Sequence, residues 1–279
     1  RLRDSIERQP NFPQAHDRLA TYLLQTGDTA EAMQHILRAQ DLDPESTARH
    51  FRVCEFWLQL GDVESAEDCS EAFAAAHDDP FREGYLRQIV HGFRGELEQQ
   101  TQALEDVVAL GNDRDPLTPA LLAQAYSWND CPAALDLLEQ RFPGLFTDEP
   151  TLNPMQLMPA HTAIHCLQQQ NREDEAHALL AAHSELVERT RTEQGPWLVV
   201  GHEKALDHAL HGNYEAALTA LEDLVDNGWR YYWWGLDFYY PSLQPIVDTE
   251  RFKRLIARLE AGVAEQRAKF EQLQSEGTI

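Results

Sequence analysis

Residues 13–44 read PQAHDRLATYLLQTGDTAEAMQHILRAQDLDP, and this stretch decides the fold. Leu19 and Ala20 lie on one apolar run, Gly27-Asp28 interrupts it, and Ala32, Ala39 and Leu42 lie on a second run closed by Pro44. Glycine at the interruption can take the left-handed backbone that ends a helix, and an aspartate or threonine just after it can cap the next one. Alanines where two helices cross let their backbones approach. Larger apolar residues at three- and four-residue steps form the stripe that each helix buries. The stretch therefore encodes a helix, a tight turn and a second helix.

The same punctuation recurs. Counting from Gly27, steps of 34 residues reach Gly61, Gly95 and Asn129, and Gly61-Asp62 is followed by Ala66 and Phe73 in matching positions. Asn171, with Ala176, Leu179 and Leu180, lies 42 residues after Asn129, and Gly212, with Ala217 and Leu221, lies 41 further on. The surplus falls in proline- and acid-bearing connections expected at 142–154 and 189–196. In the third unit Leu86, Ile89, Val90 and Phe93 sit out of register with Gly95, and Gln100 replaces the alanine. A fixed period of this length signals an array of stacked supersecondary units. Residues 1–10, ending in Pro10, read as the second helix of a unit whose first helix lies upstream.

The pattern in 13–44 resembles the tetratricopeptide repeat (TPR). The resemblance implies an all-α fold, a right-handed α-solenoid of about six helix hairpins. Its expected parts are the second helix of a preceding repeat at 1–11, TPR-like repeats at 12–228, and an aromatic cap with a C-terminal helix at 229–279. The segment 229–240 holds eight aromatic residues, as suits a terminal unit that must cover an exposed apolar face. Gly228-Trp229-Arg230, Trp233, Pro245, Arg251-Phe252 and Leu255 are similar to the end of TPR regions in bacterial signalling proteins. Among these are membrane-tethered winged-helix regulators of the ToxR/CadC kind and TPR-bearing class III nucleotide cyclases.

Forty-seven acidic against 23 basic residues give a net charge of -24, which repels nucleic acid and anionic lipid and favours a protein or peptide partner with a basic segment. No apolar run approaches the roughly 20 residues of a bilayer span, so direct membrane insertion is not expected. No targeting signal is visible. Cys54, Cys69, Cys131 and Cys166 have no C-x-x-C or metal-type spacing and read as small apolar fillers that leave the compartment open. The resemblance suggests the cytoplasmic or periplasmic side of a bacterial inner membrane.

No phosphate loop, G-x-S-x-G or H-E-x-x-H is present, so the chain reads as non-catalytic, with no cofactor and no metal. His202-Glu203 with His208 is a decoy, since a six-residue step turns the histidines about 240° apart on a helix. His161 and His165 share one helix face and form the sharpest constellation; a polar peptide-contacting groove is preferred to a metal site there. By analogy with the TPR groove, Asp17, Thr21, Phe51, Arg52, Glu55, Arg82, Tyr126, His161, His165 and His202 form the candidate binding surface. Asp17 and Thr21 stand where a carboxylate-gripping clamp would need lysine and asparagine, which excludes that mode. Trp229, Tyr232, Trp233, Trp234 and Tyr240 are candidate capping or docking aromatics. In the last helix Phe252, Ile256, Leu259 and Val263 form a stripe that packs on the array, while Phe270 and Leu273 leave open a homodimer through its distal half. The expected function is a protein-interaction scaffold, the sensory part of a bacterial signalling protein. The alternative is the regulatory tail of a cyclase or kinase.

Overall fold

A computed structural model describes residues 2–111, 115–194, 202–236 and 239–276. The described residues are all-helical, without a strand, and the helices pair as successive antiparallel hairpins. After α1 (Leu2–Arg8) the hairpins are α2 (Pro13–Gln25) with α3 (Thr29–Leu42), α4 (Thr47–Gln59) with α5 (Val63–Ala76), and α6 (Pro80–Phe93) with α7 (Leu97–Ala109). There follow α8 (Leu117–Tyr126) with α9 (Cys131–Arg141), α10 (Leu157–Gln169) with α11 (Glu173–Gln194), and α12 (Glu203–Leu210) with α13 (Tyr214–Asp226). A short α14 (Gln244–Val247) and a long α15 (Glu250–Ser275) close the chain. No described helix is long and apolar enough to cross a membrane.

The turn chemistry read from the sequence is present in most hairpins. Gly27, Gly61, Gly95, Asn171 and Gly212 all have positive φ, whereas Asn129 does not, and the α8 to α9 turn is made without a left-handed residue. Asp62 caps α5 by accepting from the Ser65 amide at 3.1 Å. Asp28 makes no such cap and instead pairs with Lys269 of α15 at 2.8 Å. The alanines at the helix crossings, Ala32, Ala39, Ala66 and Ala217, are at most 1% exposed, as close backbone approach requires.

One expected boundary is displaced. The connection expected at 189–196 begins later, because α11 continues to Gln194. The doubt over the third unit resolves in favour of a regular α6, whose Leu86, Ile89 and Val90 are buried. At 142–154 the connection stands, carrying a short 3-10 turn at Pro143–Phe146.

The cysteine reading is corrected. All four residues are bonded, Cys54 to Cys69 across the α4–α5 hairpin and Cys131 to Cys166 between α9 and α10. Spacing along the chain, 15 and 35 residues, carries no sign of this, since the pairs meet only when neighbouring helices are laid side by side.

The two ends of the helical array meet. Gly27 has φ +83°, and a Cβ there would collide with the Gly228 carbonyl, so the first hairpin turn lies directly on the end of α13. Helix α15 fastens this closure. Phe252, Leu255 and Leu259 join the core of α12 and α13, while Phe270, 1% exposed, packs edge-on against Trp57 of α4 at 5.5 Å. Arg267 donates to Asp62 at 3.0 Å, and Gln266 accepts from the Ala30 amide at 3.1 Å. Of the two residues that left a homodimer open, Phe270 is thus packed within the chain.

Candidate functional site

The aromatic segment after α13 does more than cap an end. It runs across residues of successive helices and hydrogen-bonds to them in turn. Gln59 of α4 accepts from the Tyr232 amide at 3.1 Å, and the Tyr232 hydroxyl donates to Glu55 at 2.8 Å. Gln100 of α7 donates to the Tyr239 hydroxyl at 3.2 Å. The Tyr240 hydroxyl lies 3.0 Å from His202 Nε2, and Ser242 Oγ lies 2.8 Å from His161 Nε2 on α10. Tyr232 itself takes the left-handed conformation, φ +49°, which aims its ring back towards Glu55. Trp233 and Trp234 pack on Phe93 of α6 at 5.9 and 5.2 Å. Gly92 of α6 has no side chain because a Cβ would strike the Tyr239 hydroxyl.

Under Tyr240 and Ser242 lies a sealed polar cluster contributed by α10, α11 and α12. His161 and His183 are 1% and 0% exposed, and Glu203 is 6% exposed. The Nδ1 of His183 is 3.1 Å from Asp207, which also accepts from Ser184 at 2.6 Å. On its other side, Nε2 stands 3.8 Å from Glu203, an ion-pair separation rather than a hydrogen bond. Burial pushes the His183 pKa down, but the bond to Asp207 and the charge of Glu203 outweigh it and raise it to about 9. His161, with no carboxylate bonded to it, is instead lowered by burial to about 3. One histidine is thus held as a cation between two carboxylates, and its neighbour is held neutral.

Between α7 and α8 the surface is open. A cavity of about 330 Å³ is lined there by Glu98, Glu105, Gln124, Tyr126, Trp128 and Tyr239, among others. The Tyr126 hydroxyl donates to Glu105 at 2.7 Å; burial first, and this bond second, push the phenol up to about 12. Gln124 is 4% exposed, and its amide nitrogen has no partner among the described residues. A second cavity, about 310 Å³, lies between the first two hairpins and the aromatic segment, lined by Thr21, Arg52, Glu55, Gln59, Tyr231 and Tyr232.

The residues expected to form one groove fall into separate environments. Asp17 is ion-paired with Arg52, which also donates to Thr21 at 2.8 Å and lies over the Phe56 ring, so this trio is engaged internally. Phe51 packs on Phe73 and Tyr85. Arg82 is tied to Asp79, the cap of its own helix, away from the other candidates. Tyr126 lines the open cavity, while His161 and His202 belong to the sealed cluster. His165 is half-buried, its pKa lowered by burial, and does not join His161 in holding Ser242. Among the described residues the grouping with metal-ligand geometry is His50, Cys54 and Cys69, but both sulfurs are bonded to each other and are not free donors. His202-Glu203, set aside as a decoy, supplies a buried carboxylate. Gln59, Gln124 and His183 carried no sequence signal beyond being polar residues in helices, Gln100 showed as the residue that replaces the repeat alanine, and Ser242 lies in the 3-10 turn at Pro241–Leu243.

No protein-family model matches the chain, and a search of curated proteins finds no match.

Proposed function

We propose that the chain is a non-catalytic protein-interaction scaffold, an α-solenoid of TPR-like hairpins that holds protein segments against its inner helix faces. One observation carries this reading. The array already holds the described residues of the stretch from Tyr232 to Ser242, which carries two short 3-10 turns, by side-chain hydrogen bonds from α4, α7 and α10 and from His202. Such a ladder of contacts would serve equally to grip a segment of another chain, and here the segment is its own.

The two disulfides favour an oxidising compartment, so of the two sides of a bacterial inner membrane we prefer the periplasmic one. There the chain would serve as the sensory or interaction part of a signalling protein, as the resemblance of its ending to ToxR/CadC-type regulators implies. The regulatory tail of a cyclase is the second reading, with the same ligand-holding role. The net charge of -24 favours a basic partner.

The test is fluorescence anisotropy with matched labelled peptides, one basic, one acidic and one neutral. Saturable binding of the basic peptide that weakens with salt is expected. Binding by none of the three would remove the reading.

A further inference from the structure

We infer that the cavity between α7 and α8 is a seat for one lysine or arginine side chain of an extended protein segment, with Gln124 bonding the segment's backbone carbonyl. The inference deepens the scaffold reading and rests on it.

Charge is the first argument. Glu98, Glu105 and Asp130 line the cavity, and among the described residues that line it there is no lysine or arginine. Asp130 spends one oxygen on the Ala133 amide as the cap of α9, and Glu105 accepts from Tyr126, so each carboxylate is oriented and retains accepting capacity. Three rings, Tyr126, Trp128 and Tyr239, share the same wall. Aromatic faces attract alkylammonium and guanidinium groups, and such contacts strengthen as water is excluded. Leu97, a helix residue 37% exposed, adds apolar surface for the methylene stem of a long basic side chain.

Acidic residues alone would not define a site. The second observation is Gln124, whose amide nitrogen is a buried donor without a partner among the described residues. A buried unpaired donor is costly to keep, and a cation cannot satisfy it, because it needs an acceptor oxygen. An extended peptide brings both groups, the cation on a side chain and the acceptor on the adjoining backbone. A free polyamine brings only the cation. The volume, about 330 Å³, is small for a ligand pocket and suits one side chain with its backbone. Tyr239 forms part of this wall and belongs to the segment that the array already holds. An incoming segment would thus continue the same inner surface where the chain's own segment leaves it uncovered.

The experiment uses the whole chain and two labelled probes, (Gly-Lys)5 and (Gly-Glu)5, at low salt. Glu98→Gln with Glu105→Gln keeps the shape and removes two charges. Glu265→Gln with Glu271→Gln on the exposed face of α15 makes the same change in net charge. Affinity for the lysine probe should fall about tenfold in the first double variant and less than about twofold in the second. Gln124→Leu should weaken the lysine probe while leaving competition by spermidine unchanged. Independently of any variant, the indole resonance of Trp128, assigned with Trp128→Phe, should shift most among the tryptophans on titration. Equal losses from the two double variants, or an unmoved Trp128 resonance with the lysine probe bound, would overturn the seat and leave the scaffold reading standing. Spermidine binding without binding of the lysine probe would make the cavity a free-amine site and overturn the seat as well. Binding of neither peptide and no Trp128 shift would remove both readings.

Discussion

Two stretches of the helical array have opposite fates. Over α10 to α12 the aromatic segment lies down, Tyr240 and Ser242 close on His202 and His161, and beneath them His183 bonds Asp207 and pairs by charge with Glu203, while Nδ1 of His161 and of His202 have no hydrogen-bond partner among the described residues. Over α7 and α8 the described part of the segment meets the helices through the Gln100–Tyr239 bond, and a cavity with an acidic rim and an unpartnered amide remains. The two stretches have similar raw material, carboxylates beside aromatic and amide side chains. What separates them is whether the chain itself supplies the cover. A covered charge is a structural liability unless an opposite charge is buried with it, as His183 is with Asp207 and Glu203. A carboxylate left in reach of water, like Glu98 or Glu105, is cheap to keep and free to bind.

The strongest way to break this comparison is to remove the cation from the sealed stretch. His183→Leu leaves Glu203 and Asp207 facing each other without a countercharge, and stability should fall by about 3–5 kcal/mol in urea unfolding. Glu105→Gln in the open stretch should change stability by less than about 0.5 kcal/mol, as for other substitutions near water. Comparable costs at the two sites would mean that the cluster around His183 is not sealed.

The disulfides bound the same comparison. Cys131–Cys166 ties α9 to α10, between the open stretch and the sealed one, whereas Cys54–Cys69 lies within one hairpin. Replacing either pair by serine should cost about 2–4 kcal/mol, with the wider loop at the upper end, since closing a longer loop removes more unfolded-chain entropy. Unfolding midpoints with and without a reductant check it, and a parent chain whose midpoint the reductant does not move, with no loss in either variant relative to the oxidised parent, would mean that the bonds do not form.

Titration sharpens the contrast further. His183 is raised in the folded state to about 9 from 6.5, so its contribution is fully present below about pH 6.5 and is lost as pH climbs towards 9. His161 is lowered to about 3, so its contribution is present above pH 6.5 and is lost as pH falls towards 3. Asp207 is lowered as well, against burial, by its bonds to His183 and Ser184, and adds to the acid-side loss. Stability should therefore peak near pH 6.5, and the alkaline decline should be absent in His183→Leu. A decline of unchanged slope in that variant would assign it to other groups.

Much of the fold was legible because its signals are local. Gly27, Gly61, Gly95, Asn171 and Gly212 mark turns by a backbone conformation that few residues adopt, and the buried alanines mark crossings by size. The site was less legible because its contacts span the whole chain. Glu55 meets Tyr232 at a separation of 177 residues, and His161 meets Ser242 at 81. Analogy placed Glu55, His161 and His202 on a binding groove; in the structure all three meet one segment, and no spacing rule says that this segment comes from the same chain. Asp17 and Arg52 illustrate the same limit: each looked available, and the two neutralise each other across neighbouring hairpins.

The smallest expected effects come from a matched pair, one tyrosine–glutamate bond on each side of the comparison. The Tyr232 hydroxyl donates to Glu55 at 2.8 Å, and the Tyr126 hydroxyl donates to Glu105 at 2.7 Å, so chemistry and length are nearly the same. Glu55 also lines a cavity, of about 310 Å³, but burial raises its carboxyl above its ordinary value, so solvent should replace a lost donor there less readily than at Glu105. Tyr232→Phe should then cost about 1–3 kcal/mol, the penalty for stranding a buried acceptor. Tyr126→Phe exposes Glu105 to a cavity that water can enter, and should cost no more than about 0.5 kcal/mol. Urea unfolding of the two single variants, measured side by side, isolates burial from bond geometry, because geometry is held constant. Equal costs would place Glu55 in contact with water like Glu105, and the division of the inner surface into a covered and an open stretch would not extend to the first two hairpins.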